Sequence, residues 1–194
     1  MSFDRVRGQE EALSRLEVAL SSGKLAHTLL FAGPSGVGRR LAAMELAKTL
    51  LCPQGGANAC DACPSCHRVE TGTHGDLYVV APESQRGGVL VDQVRELCEN
   101  LSRSPMEGTR KVAVVDEADS MLPSAQNAFL KTLEEPPDDT TIILVAEDPE
   151  RLLPTVRSRC RRVNFKPVES AVLSDFLIEK GTDKGVAGSM AHLA

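Results

Sequence analysis

The stretch from His27 to Arg40, "HTLLFAGPSGVGRR", restricts the fold more than any other part of this chain. Its first half is a short, mostly apolar run without strict alternation, which fits a strand buried on both faces of a parallel sheet. A glycine-rich turn follows, with Gly33, Gly36 and Gly38, and then a helix-forming segment. Gly33 and Gly38 have the spacing of the phosphate-binding pattern G-x-x-x-x-G-K-[ST], in which backbone N–H groups converge on one point at a helix N-terminus. The lysine position of that pattern holds Arg39, and the hydroxyl position, which ligates Mg²⁺, holds Arg40. A guanidinium can contact phosphate, but its planar fork is larger than an ammonium, and Arg40 cannot ligate a cation. Two readings stay open: a glycine turn kept for its backbone shape, or a pocket that takes ATP or ADP weakly without turnover.

The rest of the chain alternates helix and strand patterns, which predicts a parallel α/β sheet with helices on both faces. Leu13, Leu16 and Leu20 mark one face of a helix over Gln9–Leu20. A helix from about Gly38 to Leu51 is predicted to share faces through Ala43, Ala47 and Leu50 and through Met44, Ala47 and Leu51. Strands are predicted at His27–Ala32, Asp76–Pro82, Lys111–Asp119, Thr140–Glu147 and Arg161–Phe165, five in all. Leu90, Val94, Leu97 and Leu101 mark one further helix, and Leu122, Ala125, Phe129 and Leu133 another, stopped by Pro136–Pro137. A short helix is predicted over Glu150–Arg157, with Pro154 near its middle or at a break. "ESQRGG" reads as a polar loop, and "KPVES" as a boundary before a helix marked by Val172, Phe176 and Leu177 and capped by Gly181, with another helix beginning in the last dozen residues.

With 194 residues and 42% hydrophobic content, one domain and the start of a second are expected. The net charge of -5 gives no reason to expect a chain coated in nucleic acid. No apolar run reaches the ~18–20 residues of a membrane span, and no signal-peptide apolar region opens the chain, so a cytoplasmic protein is expected.

Four of the six cysteines, Cys52, Cys60, Cys63 and Cys66, crowd into one aperiodic insertion, Cys52–Gly75, with spacing C-x7-C-x2-C-x2-C. Four thiolates at that spacing suit a closed, tetrahedral structural zinc site, with a redox C-x-x-C and an iron–sulfur cluster as alternatives. His67 and His74 lie nearby as supporting or surface residues, and Cys98 falls on an apolar helix face as a core residue. Asp116 and Glu117 end the third strand. Beside a phosphate loop they could organise Mg²⁺ and an attacking water, or simply open the next helix, where acids favour the dipole. Arg157, Arg159, Arg161 and Arg162 form a basic turn after the fourth strand, open to a solvated role or to an arginine finger.

Taken together, "GTHGDLYVVAPE", "FLKTLEEPP", "PERLLPTVRSRC" and the four-cysteine insertion after the loop helix resemble the subunits of the bacterial DNA polymerase III clamp loader, an AAA+ assembly. The resemblance runs in order over nearly the whole chain. The loop lacking lysine and hydroxyl is similar to that of delta-prime-type subunits and not to the ATP-hydrolysing gamma/tau type. The resemblance implies an AAA+ (RecA-like) domain over residues 1–166, with its zinc module at 52–66. It implies a helical lid beginning at 167–194 and cut short, with a C-terminal collar domain beyond. It implies a subunit without its own ATPase, within the DNA polymerase III holoenzyme, that helps load the sliding clamp at primer–template DNA alongside gamma/tau and delta. It would present Arg159 of the Ser158-Arg159-Cys160 motif to a neighbouring ATP site, with Cys160 packed inward. Ala146 stands where active relatives carry a sensor threonine. The alternative is a divergent gamma/tau-like ATPase in which Arg39 replaces the lysine.

Overall fold

The computed structural model describes residues 3–56, 58–83 and 87–193. Five parallel strands form one sheet: β1 (Thr28–Ala32), β2 (Leu77–Val80), β3 (Lys111–Val115), β4 (Thr140–Ala146) and β5 (Arg161–Asn164), in the order β2-β3-β4-β1-β5. The three inner strands β1, β3 and β4 are buried along their whole length, as runs with no polar face require. The edge strands β2 and β5 are partly exposed. The helices are α1 (Glu10–Ser21), α2 (Arg39–Leu51), α3 (Pro64–Glu70), α4 (Val91–Ser102), α5 (Pro123–Glu134), α6 (Pro154–Arg157), α7 (Ser170–Glu179) and α8 (Lys184–Leu193).

Successive strand side chains point to opposite faces, and this splits the core in two. Leu29, Phe31, Val112, Val114, Ile143 and Val145 pack with Leu13 and Leu16 of α1 and Leu46 of α2. Leu30, Ala32, Ala113, Val115, Ile142 and Leu144 pack with Val94 and Leu97 of α4, Phe129 of α5 and Val156 of α6. The predicted strands and long helices are present, with ends shifted by a residue or a few.

Four expectations change. The insertion was expected to be aperiodic, yet it contains α3, whose seven residues are too few to display a period; Pro64 sits in its first turn and Cys63 caps it. The single helix expected over 150–157 is a 3-10 turn at Pro149–Arg151 followed by α6, because Pro154 starts a new helix instead of continuing one. The third strand stops at Val115, and Ala118–Ser120 form a 3-10 turn. Helix α2 is not amphipathic: Met44 and Leu50 are only half-buried, while Ala42, Leu46, Glu45 and Lys48 are buried. Of the expected polar loop, residues 84–86 lie outside the described residues.

The "GTHGD" stretch builds the entry to β2. Asp76 is fully buried and accepts N–H bonds from Met106 (2.5 Å), Glu107 (2.8 Å) and Gly108 (2.9 Å). Asp76 N–H donates to His74 Nδ1 (3.1 Å), which leaves Nε2 to bond Ser65 Oγ (3.0 Å). Burial opposes the Asp76 charge, but the three N–H donors outweigh it and hold the carboxyl below its ordinary value. A carboxyl lowered by folding stabilises the fold above the ordinary carboxylate range and loses that contribution as pH falls through the folded value. Asp76→Asn should therefore cost on the order of 2 kcal/mol at neutral pH, measured by urea denaturation, and the gap to the parent should narrow on acidification. Equal midpoints at neutral pH would rule this out.

Candidate functional site

The glycine turn connects β1 to α2 at the carboxyl end of the sheet. A Cβ at Gly33 would lie 2.3 Å from the Phe165 carbonyl oxygen, so no other residue fits there. Gly38, at φ 94, caps α2 in the left-handed region that favours glycine. The first turn of α2 carries no acidic residue, which leaves its N–H end free to face an anion. The loop borders a cavity of about 500 Å³ that also takes in Arg39, Arg40, Asp116, Glu117 and Arg151.

Inside this cavity the two arginines behave differently. Arg40 Nε lies 3.2 Å from Asp116 Oδ2, so a guanidinium counters the carboxylate at which a nucleotide hydrolase would hold Mg²⁺. Asp116 also accepts the Glu117 N–H through Oδ1 (3.0 Å). Nη1 of Arg39 is buried and has no hydrogen-bond partner among the described residues, an unmet donor beside the loop. Glu117 is exposed at φ 47, uncommon for a non-glycine residue and a kind of strain that clusters at functional sites. The loop therefore fits a phosphate oxygen, whereas its carboxylate is already matched by a protein cation.

The four cysteine sulfurs lie within 4.8 Å of one another. Cys52 and Cys63 are 4.0 Å apart, and Cys60 and Cys66 3.9 Å. Four sulfurs at tetrahedral zinc stand about 3.8 Å apart, from Zn–S bonds of about 2.3 Å, so the donor set fits one such ion. Cys52 follows the last residue of α2, and Cys63 caps α3 and accepts the Cys66 N–H (3.4 Å). The N–H groups of Ala62 and Cys63 draw the Cys60 thiol down to about 6, and burial pushes Cys66 up to about 12. Cys98 and Cys160 stand apart from this group. Cys98 is half-buried against the second core and accepts from Thr132 Oγ1 (3.2 Å); burial pushes Cys160 up to about 12.

Arg159 follows α6 and does not line the loop cavity. One Nη pairs with Glu134 at the end of α5, and the other donates to the Thr155 carbonyl (2.7 Å). Arg157 and Arg162 instead share Glu150. Thus Gly36, Gly38, Arg39, Arg40, Asp116 and Glu117 come together around the cavity, Gly33 opens the loop against Phe165 without lining it, the four cysteines form a second group, and Arg159 belongs to neither.

Residues 8–169 match the family described as DNA polymerase III, delta subunit. The chain belongs to that family. It is 36% identical over 185 residues to the DNA polymerase III subunit delta' of Bacillus subtilis, covering 95% of this chain and 56% of the relative. It is also 36% identical over 187 residues to the DNA polymerase III subunit gamma/tau of Mycobacterium tuberculosis, covering 95% of this chain and 32% of the relative. The chain thus spans about half or less of these relatives. A gamma-subunit-related protein of Thermotoga maritima shares its fold, with a TM-score of 0.57 at 23% identity over 94% of this chain and 58% of that one. The five-stranded parallel sheet is the fold of this delta-family chain. No helix among the described residues is long and apolar enough to cross a membrane.

Several contributors to the sites had no signal in the sequence. Arg151 lines the loop cavity because the buried Gln126 holds its turn, donating to the Met121 carbonyl (2.9 Å) and the Arg151 carbonyl (3.3 Å) and accepting the Leu153 N–H (2.6 Å). Ser65 of the cysteine module donates to the Leu51 carbonyl (2.8 Å) at the end of α2. A glutamine four residues into an amphipathic helix, or a serine between two cysteines, is locally unremarkable; only the tertiary pairing gives it a role.

Proposed function

We propose that this delta-family chain is a non-hydrolysing, delta-prime-type clamp-loader module that supports a neighbouring subunit's ATPase during loading of the sliding clamp onto primer–template DNA. The observation that carries this reading is the Arg40–Asp116 ion pair at 3.2 Å. Phosphoryl transfer on a P-loop needs Mg²⁺ held between the loop hydroxyl and this acid. Here one of these ligands is a cation and the other is paired to it. Ala146, at the end of β4, offers no side-chain hydrogen bond to a nucleotide and supports the same reading. Phosphate binding through the loop N–H groups and Arg39 stays compatible with it, so ATP or ADP without Mg²⁺ is the expected occupant if any binds.

In this reading residues 1–166 are the AAA+ domain and residues 167–194 begin the helical lid. The partners are gamma/tau and delta subunits, and the compartment is the cytoplasm. Arg159 is the arginine offered to the adjacent ATP site; its place outside its own loop cavity favours a role in trans. In the full-length subunit within a reconstituted loader, Arg159→Ala should leave the fold unchanged and slow the partner's ATP hydrolysis, by as much as roughly 10³-fold if it acts as a full finger. An unchanged rate would remove the finger from the proposal.

A second reading, a divergent gamma/tau-like ATPase, draws on Asp116 and Glu117 lining the same cavity and on the likeness to gamma/tau. Phosphate release by the purified chain with ATP and Mg²⁺ separates the two. None above background is expected; release that disappears in Glu117→Gln would establish the second reading in place of the first.

The cysteine group is proposed to hold one structural zinc ion. Its four thiolates would close the coordination shell, leaving no position for a reacting water, so the ion's contribution is to fold the insertion. Elemental analysis should find one zinc per chain, and chelation should free four thiols to alkylation and loosen residues 52–66. A chain that folds with no zinc and four accessible thiols would refute this assignment.

A further inference from the structure

Lys48 is the least expected buried charge in the molecule. It lies on the C-terminal half of α2 and is only 3% exposed. Its ammonium meets three carboxylates from three places: Glu45 Oε2 on the same helix (2.9 Å), Glu70 Oε1 at the end of α3 (3.2 Å) and Asp61 Oδ1 (2.5 Å). An ammonium has three protons to donate, so these three acceptors use its full capacity. Burial works against the charge, but the bonds to Asp61, Glu45 and Glu70 outweigh it and raise its proton affinity. Arg5 gives Glu45 a second cation at 3.1 Å.

Asp61 is the informative member. It lies in the turn between Cys60 and Cys63, at φ 55, and its side chain is half exposed. Nothing about a solvent-facing turn requires its carboxylate to reach a buried lysine on another element. The contact ties to α2 the turn that carries two of the four sulfurs. The end of α2 also supplies Cys52 itself and the Leu51 carbonyl that accepts from Ser65 Oγ. The helix that starts at the phosphate loop thus ends as one wall of the cysteine site.

We propose that Lys48 is a positioning residue for the metal site: through Asp61 it holds the Cys60–Cys63 turn in the pose that presents its thiols, and so joins the cysteine module rigidly to α2. The proposal rests on the zinc reading of the four cysteines. Groups that orient ligands without touching the ion typically change metal affinity by roughly 10- to 100-fold when removed.

The test uses the whole chain loaded with zinc, with affinity read by competition against the chromogenic chelator 4-(2-pyridylazo)resorcinol. Asp61→Asn is the decisive variant, because asparagine tolerates the left-handed backbone as well as aspartate does and only the charge is lost. It should weaken zinc retention by roughly 10-fold or more while the metal-free chain melts as the parent does. Lys48→Met, which removes the ion pair to Asp61 together with those to Glu45 and Glu70, should weaken it at least as much, and the double variant should be no worse than the weaker-binding single, since the Lys48–Asp61 ion pair can be lost only once. Glu70→Gln, which takes a carboxylate from the same ammonium outside the turn, should leave zinc affinity unchanged. Parental affinity in Asp61→Asn overturns the proposal even where Lys48→Met fails to fold. Additive losses, or an equal loss in Glu70→Gln, overturn it too, because they indicate a general charge effect. Failure of the parent chain to bind zinc would sink the metal reading itself, a result distinct from parental binding that is insensitive to Asp61.

Discussion

Strand β1 runs between β4 and β5 with all five residues buried, so its backbone must be paired on both edges and no water can substitute for a missing partner. That requirement fixes where the chain can leave the sheet. At Gly33 the backbone passes so close to the Phe165 carbonyl that a Cβ would stand 2.3 Å from it, and the turn that follows carries α2 back over one face. Gln9, itself buried, ties the same region together: its amide donates to the Lys166 carbonyl (2.7 Å) and accepts the Lys166 N–H (3.0 Å). The phosphate-loop shape is thus a consequence of how a central parallel strand exits the sheet, whatever side chains the loop then carries. This separates two questions that a motif merges: the backbone can be right for phosphate while the side chains are wrong for catalysis.

Helix α2 carries that separation through the molecule. One end borders the loop cavity, and Cys52 follows directly at the other. Its middle is covered on nearly every side, which is why it shows no single apolar stripe and why small residues such as Ala42, Ala43 and Ala47 recur along it. A helix this enclosed can bury Lys48 and Glu45 only by pairing them, since an uncompensated charge in that position would cost several kcal/mol. The ion pairs and the cysteine group are two solutions to one problem: the insertion has too little apolar sequence to pack by burial alone, so polar and thiol contacts do the fastening.

What could be read in the sequence follows from the range of the interactions. The inner strands, the glycine turn, α1, α4 and α5 announce themselves through residues close in the chain, because burial of one face or both imposes a local period. The spacing of Cys52, Cys60, Cys63 and Cys66 is local as well, and the four sulfurs do converge. Helix α3 was missed because seven residues hold fewer than two turns and the proline and cysteines at its start mimic a loop. The break before α6 was half visible in Pro154. Nothing local marked Lys48–Asp61, Arg40–Asp116 or Gln126 with the 149–153 turn. Each joins groups from different elements, brought together by tertiary packing, and a charged residue on a helix normally reads as solvated surface.

The Arg40–Asp116 pair also changes what acids at the end of β3 can be taken to mean. An aspartate followed by a glutamate beside a glycine loop is usually read as machinery for hydrolysis. Here Asp116 is only 14% exposed, bonds the Glu117 N–H with one oxygen and meets Arg40 with the other. A carboxylate so placed helps shape the turn and neutralises a guanidinium at the mouth of the cavity, which are sufficient physical reasons for its presence. For Mg²⁺ to take its place at Asp116, Arg40 would have to swing away, and the ion would then meet a loop with no hydroxyl to complete its shell. The same acid therefore supports opposite inferences depending on what sits across from it. In this chain the partner is a cation, so the charge of the first acid is accounted for by a contact within the protein itself.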